Sequence, residues 1–229
     1  MPEVLISASG LTRYYESGEL RVAALDGIDL LINRGAYVVL AGRSGSGKTT
    51  LLNMLGGLDR PDSGSLVIAG QDLLAMSSAG RANFRLCHLG FVFQAYNLIR
   101  VLSARENVAY VLQLQGMDKK QRFRLADQWL AKVGLQGFEN RRPDQMSGGQ
   151  QQRVAVARAL ATEPDLVLAD EPTANLDSHT GESLMGLMRQ LNEERGTTFV
   201  IASHDPAVIA SARTLITMQD GRIESSKTV

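Results

Sequence analysis

The chain has 229 residues, 44% of them hydrophobic and 21% charged, and its 24 Lys+Arg balance its 24 Asp+Glu. That composition excludes a disordered chain and leaves room for one sizeable core. Zero net charge offers no broad field for DNA, RNA or an anionic membrane, so no nucleic-acid partner is expected.

The N-terminal residues carry no basic start followed by an apolar stretch, as a signal peptide would. No apolar run reaches the roughly 18–20 residues of a membrane helix. The chain is therefore expected to stay on the side where it is made, with another chain supplying any membrane part. Residues 4–8, 21–25 and 28–32 read as short strands punctuated by Gly10, Gly18 and Gly27. Residues 36–41 (AYVVLA) are an apolar run of the kind a fully buried parallel strand shows. A Gly-rich turn follows, then a helix over 48–58 and a turn with another strand over 62–70. The lone cysteine, Cys87, reads as a small packed hydrophobe.

The middle of the chain changes to helical spacing over 103–115 and 118–133. Lys119, Lys120, Arg122 and Arg124 there read as a solvated helix face. Alternation then resumes: helix 148–162, strand 165–169, helix 178–194, strand 198–203, strand 215–218, and a hairpin turn at Asp220-Gly221 before 222–224. Strands alternating with helices predict an α/β fold on a largely parallel sheet, with the helical middle inserted into it.

Gly42-Arg43-Ser44-Gly45-Ser46-Gly47-Lys48-Thr49 fits GxxxxGK[ST] between a predicted strand and a predicted helix, the setting this phosphate-binding loop requires. Its glycines let backbone N–H groups turn onto phosphate oxygens, and the helix start adds positive potential. Lys48 is expected on the β/γ-phosphates and the Thr49 hydroxyl on Mg²⁺, with Thr50 beside them. The loop names a nucleotide but not the base, and either Tyr14 or Tyr15 could stack on one.

Residues 166–169 form an apolar strand ending in Asp170-Glu171, and ligands gather at the carboxyl ends of parallel strands. Asp170 is placed to hold Mg²⁺ through its water shell, and Glu171 to orient and deprotonate an attacking water. His204, following strand 198–203, should reach the same edge and touch the γ-phosphate or the water. Gln94, after Phe91-Val92-Phe93, could sense the γ-phosphate, contribute to the metal site and move the helical insert. His88 and His179 read as ordinary surface or capping residues.

Met146-Ser147-Gly148-Gly149-Gln150-Gln151-Gln152-Arg153 opens a predicted helix and closely resembles the signature motif of ATP-binding cassette proteins. The phosphate loop, Asp170-Glu171, Asn175-Leu176-Asp177 and Ser203-His204-Asp205 stand in that family's order, and the resemblance covers nearly the whole chain. It implies a RecA-like P-loop NTPase core with an antiparallel β subdomain (1–93 and 163–229) and an inserted α-helical signature subdomain (94–162), all one ATPase domain. It implies ATP and Mg²⁺ as cofactors, Tyr15 as the adenine platform, and a head-to-tail homodimer. Ser147, Gly148, Gly149 and Gln150 of one copy would then meet the ATP held by Lys48 of the other, with Asp177 reporting across the interface.

Residues 51–58, 90–108 and 168–177 are similar to the macrolide-exporter and lipoprotein-releasing branch. That branch implies an integral membrane partner with few transmembrane helices and a large periplasmic domain, moved mechanically. It implies a peripheral site on the cytoplasmic face of the inner membrane. Met146, Ala174, Ala95 and Ser203 depart from the usual residues of the family, but none removes a polar group the chemistry needs. The other reading is a regulatory ATPase of the same superfamily, acting on cell-envelope enzymes through a membrane partner. A chromosome-type ATPase would carry sustained heptads between the loop and the signature, and residues 50–146 have none.

Overall fold

A computed structural model gives the fold and describes residues 3–17 and 20–228. Strands β1 (Val4–Ser17) and β2 (Leu20–Asn33) pair antiparallel, and β4 (Ser63–Ile68) and β5 (Gln71–Asp72) extend them into a four-stranded sheet ordered β2-β1-β4-β5. The short separate strands expected here are thus two long ones. Gly10 and Gly27 adopt left-handed φ of 59° and 68° at register shifts inside the ladder. Each inserts an extra residue as a β-bulge, which bends a strand without ending it. Gly18, also read as punctuation, lies outside the described residues.

The second sheet runs β10-β9-β3-β8-β7-β6, from β3 (Tyr37–Ala41), β6 (Leu89–Phe93), β7 (Leu166–Asp170), β8 (Thr198–Ser203), β9 (Thr214–Gln219) and β10 (Arg222–Thr228). All neighbours are parallel except the edge pair β9–β10. Tyr37, Val39, Val167, Ala169, Phe199 and Ile201 face a core shared with helices; Val38, Leu40, Leu166, Leu168, Val200 and Ala202 face a core shared with the antiparallel sheet. Both faces of the parallel sheet are covered, so its strands read as unbroken apolar runs.

Helix α1 (Lys48–Leu55) packs Leu51, Leu52, Met54 and Leu55 into the second of these cores. It stops short of residue 58 because Gly56 and Gly57, the latter at φ 59°, close its end. Helix α2 (Ser78–His88) has no counterpart in the sequence reading. Phe84 is its single buried side chain. Helices α3 (Ala104–Leu114), α4 (Lys119–Lys132) and α5 (Gly148–Leu160) join around Val108, Leu112, Trp129, Leu130 and Val154, in a core continuous with the sheet. Lys119, Lys120 and Arg124 are exposed on α4, as expected of a solvated face. Helix α6 (Ser178–Arg195) lies on the same side, and α7 (Pro206–Ala210) is too short for sequence periodicity to reveal.

Cys87, expected to be packed, is exposed instead, because it sits off the single apolar stripe of α2. His88 does more than cap: its Nδ1 lies 2.7 Å from Asp165 Oδ2 and its ring stacks on Phe84. Arg34 also pairs with Asp165. Burial pulls the Asp165 carboxyl upward, but the bonds from His88 and Arg34 outweigh it and hold its pKa below the usual value.

Candidate functional site

β3, β7 and β8 end side by side, with Ala41 level with Ser203 and Asp170 level with Ala202. The loop after β3 folds over this edge. Lys48 is buried, and its Nζ donates to the carbonyls of Gly42 at 2.7 Å and Arg43 at 3.1 Å. Among the described residues no carboxylate hydrogen-bonds it there, so its charge remains available to an anion. A Cβ on Gly42 would lie 2.4 Å from the Met218 carbonyl, and one on Gly47, at φ 101°, 2.4 Å from the Ala24 carbonyl. The loop can therefore follow this path only with glycine at both places.

Asp170 closes β7, and its Oδ1 accepts from Thr49 Oγ1 at 3.2 Å. Burial raises its carboxyl pKa and the neighbouring Glu171 charge adds to this, against the Thr49 hydrogen bond and the Lys48 charge. Among the described residues no three His, Cys, Asp or Glu cluster as a metal cage. One hydroxyl and one carboxylate side by side suit a hard cation that brings the rest of its shell as water and phosphate oxygens, as Mg²⁺ does.

Glu171 holds a left-handed φ of 44°, fixed by its N–H bond to the Ala202 carbonyl at 2.9 Å. A non-glycine residue in that region is strained, and such strain gathers at functional sites. Ser203 Oγ donates to Glu171 Oε2 at 3.1 Å, while His204 Nδ1 lies 2.7 Å from Oε1. Ser203 is fully buried and accepts from the Asp205 N–H. In the sequence Ser203 stands out only as a departure from the family pattern. Its bond to a residue 32 positions away leaves no local signal.

Gln94 follows β6 into the same cleft, and its carbonyl accepts from Asn175 Nδ2 at 2.9 Å. Gln152 is a second residue that sequence reasoning misses: its buried Nε2 bridges the carbonyls of Phe93 (3.3 Å) and Pro172 (2.8 Å), tying the ends of β6 and β7 together from α5. Just beyond Gln94, Tyr96 and Asn97 both have positive φ, and Arg158 binds both their carbonyls. Burial lowers the Arg158 pKa.

One cleft thus gathers Tyr15, Ser44, Gly45, Gly47, Lys48, Thr49, Thr50, Gln94, Asp170, Glu171 and His204. Tyr14 is not in it; its ring lies under the Arg21 guanidinium at 3.9 Å. Gly42 supports the loop from below, as does Ser46, which is buried against it. Ser147, Gly148, Gly149, Gln150 and Asp177 are elsewhere. Ser147 caps α5 in a reciprocal box with Gln150, and Asp177 caps α6 through the Thr180 N–H. A Cβ on Gly149 would lie 2.4 Å from Thr180 Cγ2, so close packing of α5 on α6 already asks for glycine there.

The profile of the ABC transporter family matches residues 25–174. The chain belongs to the ABC transporter family. It is 44% identical over 221 residues to the lipoprotein-releasing system ATP-binding protein LolD of Chromohalobacter salexigens, covering 96% of this chain and 93% of that protein. It is 45% identical to the macrolide export ATP-binding/permease protein MacB of Aggregatibacter actinomycetemcomitans over 96% of this chain, but spans only 34% of that longer protein. Among solved structures, a dimeric post-hydrolysis state of an ATP-binding cassette with ADP and Pi superposes with a TM-score of 0.91, at 40% identity and 98% coverage of both chains. The fold is accordingly the P-loop NTPase core with its antiparallel sheet and helical insert, and the chain is an ATP-binding subunit and an ATPase of this family.

Proposed function

We propose that two copies of the chain close head to tail on two MgATP and pass that motion to an integral membrane partner. The observation that carries this is a split site. The cleft holds Lys48, Asp170, Glu171 and His204, while the signature helix start at Ser147 lies outside it in the same chain. A second copy supplies what the cleft lacks. The dimeric cassettes among the structural relatives support the pairing.

Within the cleft each side chain has a task. Lys48 and the loop N–H groups take the β/γ-phosphates, and Thr49 and Asp170 hold the metal, whose charge offsets the developing negative charge of phosphoryl transfer. Glu171, its carboxylate aimed by Ser203 and His204, takes the proton of the attacking water. Gln94 reports on the γ-phosphate. Tyr15 carries the adenine. Ser147, Gly148, Gly149 and Gln150 cover the triphosphate of the opposite copy, with Asp177 beside them.

No helix among the described residues is long and apolar enough to cross a membrane. An exposed apolar groove walled by Leu58, Phe91, Ile99, Tyr110 and Leu114 runs to Asn97 and Arg158, next to the strained turn after Gln94. Exposed apolar surface of this kind marks a protein contact. Its continuity with Gln94 supports this groove as the seat of the membrane partner at the cytoplasmic face. The likeness to LolD and MacB favours a partner with few transmembrane helices and a large periplasmic part.

Glu171→Gln tests the core of this reading. It keeps ATP binding, loses about 10²–10⁴ of turnover, and holds the dimer with MgATP in light scattering. Wild-type turnover, or a monomer at saturating MgATP, overturns it. Pull-down from solubilised membranes with the same variant identifies the partner; one with six or so helices per subunit rejects the mechanical branch.

A further inference from the structure

Tyr15 is held at both ends before any nucleotide arrives. Its hydroxyl donates to Asp59 Oδ2 at 3.0 Å, and the Arg13 guanidinium lies over its ring, 5.0 Å from the centroid. Arg13 is in turn clamped by Asp59 Oδ1 at 3.2 Å and Asp62 Oδ1 at 3.4 Å. Asp59 is itself fixed. The Arg60 N–H donates to its Oδ1 at 2.7 Å, and its own N–H, with that of Leu58, returns to the Asn53 carbonyl of α1. The anchor of the tyrosine is thus bolted to the helix that starts at Lys48.

We propose that Asp59, with Arg13, is a positioning pair that presets Tyr15 as the stacking platform for the nucleotide base, in fixed register with the phosphate loop. This rests on Tyr15 being that platform. The tyrosine is 41% exposed, and an unanchored ring at such a site would have to be ordered when the base arrives, which subtracts from affinity. Tyr15 itself lines the cleft, and a cation held against a π-system is attractive. Asp59 does not itself line the cleft; it meets it through Tyr15, which does.

The test is steady-state ATPase kinetics with inorganic tripolyphosphate as a base-free competitor. Asp59→Ala raises KM for ATP by about three- to ten-fold, the scale of losing one anchoring hydrogen bond and its preorganisation, with kcat and the tripolyphosphate inhibition constant unchanged. Tyr15→Phe, which keeps the ring but not the hydroxyl, gives a rise of the same kind, and combining the two adds little. Asp59→Asn, which keeps an acceptor, recovers part of the loss. An unchanged KM in Asp59→Ala, or a parallel fall in kcat and tripolyphosphate binding, overturns the proposal. If Tyr15→Ala also leaves KM for ATP unchanged, the platform reading itself fails; if Tyr15→Ala raises KM and Asp59→Ala does not, only the anchor fails.

Discussion

Asp170 is a carboxylate half removed from water with another acid next to it. Burial raises its pKa above the 3.8 of a free aspartate, so the native state binds its proton more tightly than the unfolded chain. Stability from this residue therefore falls as pH rises from 3.8 through the raised value, and the full penalty stands at neutral pH. Asp170→Asn keeps an acceptor for Thr49 and removes the charge. The nucleotide-free variant should melt about 2–4 °C higher than the parent at neutral pH, with the gap narrowing as pH falls. Added MgATP should reverse the order, since only the parent gains the metal. A lower melting point for the nucleotide-free variant in a chelator would sink this account. Asp170, Glu171 and Lys48 are legible in the sequence because their chemistry is written in contiguous motifs. Ser203 and Gln152 are not, because what they do depends on Glu171, Phe93 and Pro172, residues the fold alone brings to them.

At the scale of elements, the parallel strands and the capped helices are readable, since buried runs and Ser-x-x-Glu or Ser-x-x-Gln boxes are local. The bulged hairpin is not: a glycine that bends a strand looks like one that ends it. Glycine also separates two kinds of packing. Gly90 in β6 lies so near α5 that a Cβ would sit 2.3 Å from the Ala159 carbonyl, a backbone atom that cannot swing away. Gly90→Ala should cost about 3 kcal/mol. Gly186, inside α6, has ordinary helical φ, and a Cβ there would meet nothing within 4 Å. Gly186→Ala should therefore stabilise by about 0.5–1 kcal/mol through lower backbone entropy. Urea midpoints of the two variants check the contrast; equal shifts in either direction would mean that β6 and α5 are not locked as described.

At the scale of the molecule, the question is whether Ser147 serves only its own helix or also a nucleotide on a second copy. In the single chain its hydroxyl accepts from the Gln150 N–H at 3.3 Å and the Gln150 side chain returns to its N–H at 3.0 Å, a complete cap. Replacing Ser147 with alanine would damage cap and interface together and decide nothing. Aspartate is as good a cap as serine and suits a helix start, so Ser147→Asp leaves α5 intact. In the head-to-tail pair it sets a negative charge against the opposite triphosphate, in a site where water is excluded and like charges repel strongly. Placed in the Glu171→Gln background, Ser147→Asp should keep the melting point and the ATP affinity of the monomer while raising the protein concentration needed for MgATP-dependent dimers by more than about ten-fold, a cost above roughly 1.4 kcal/mol in association. Light scattering reads the mass and isothermal titration the affinity. If the doubly substituted protein pairs as readily as Glu171→Gln alone, with its fold unchanged, the signature helix does not meet the nucleotide and the two copies must be arranged in some other way.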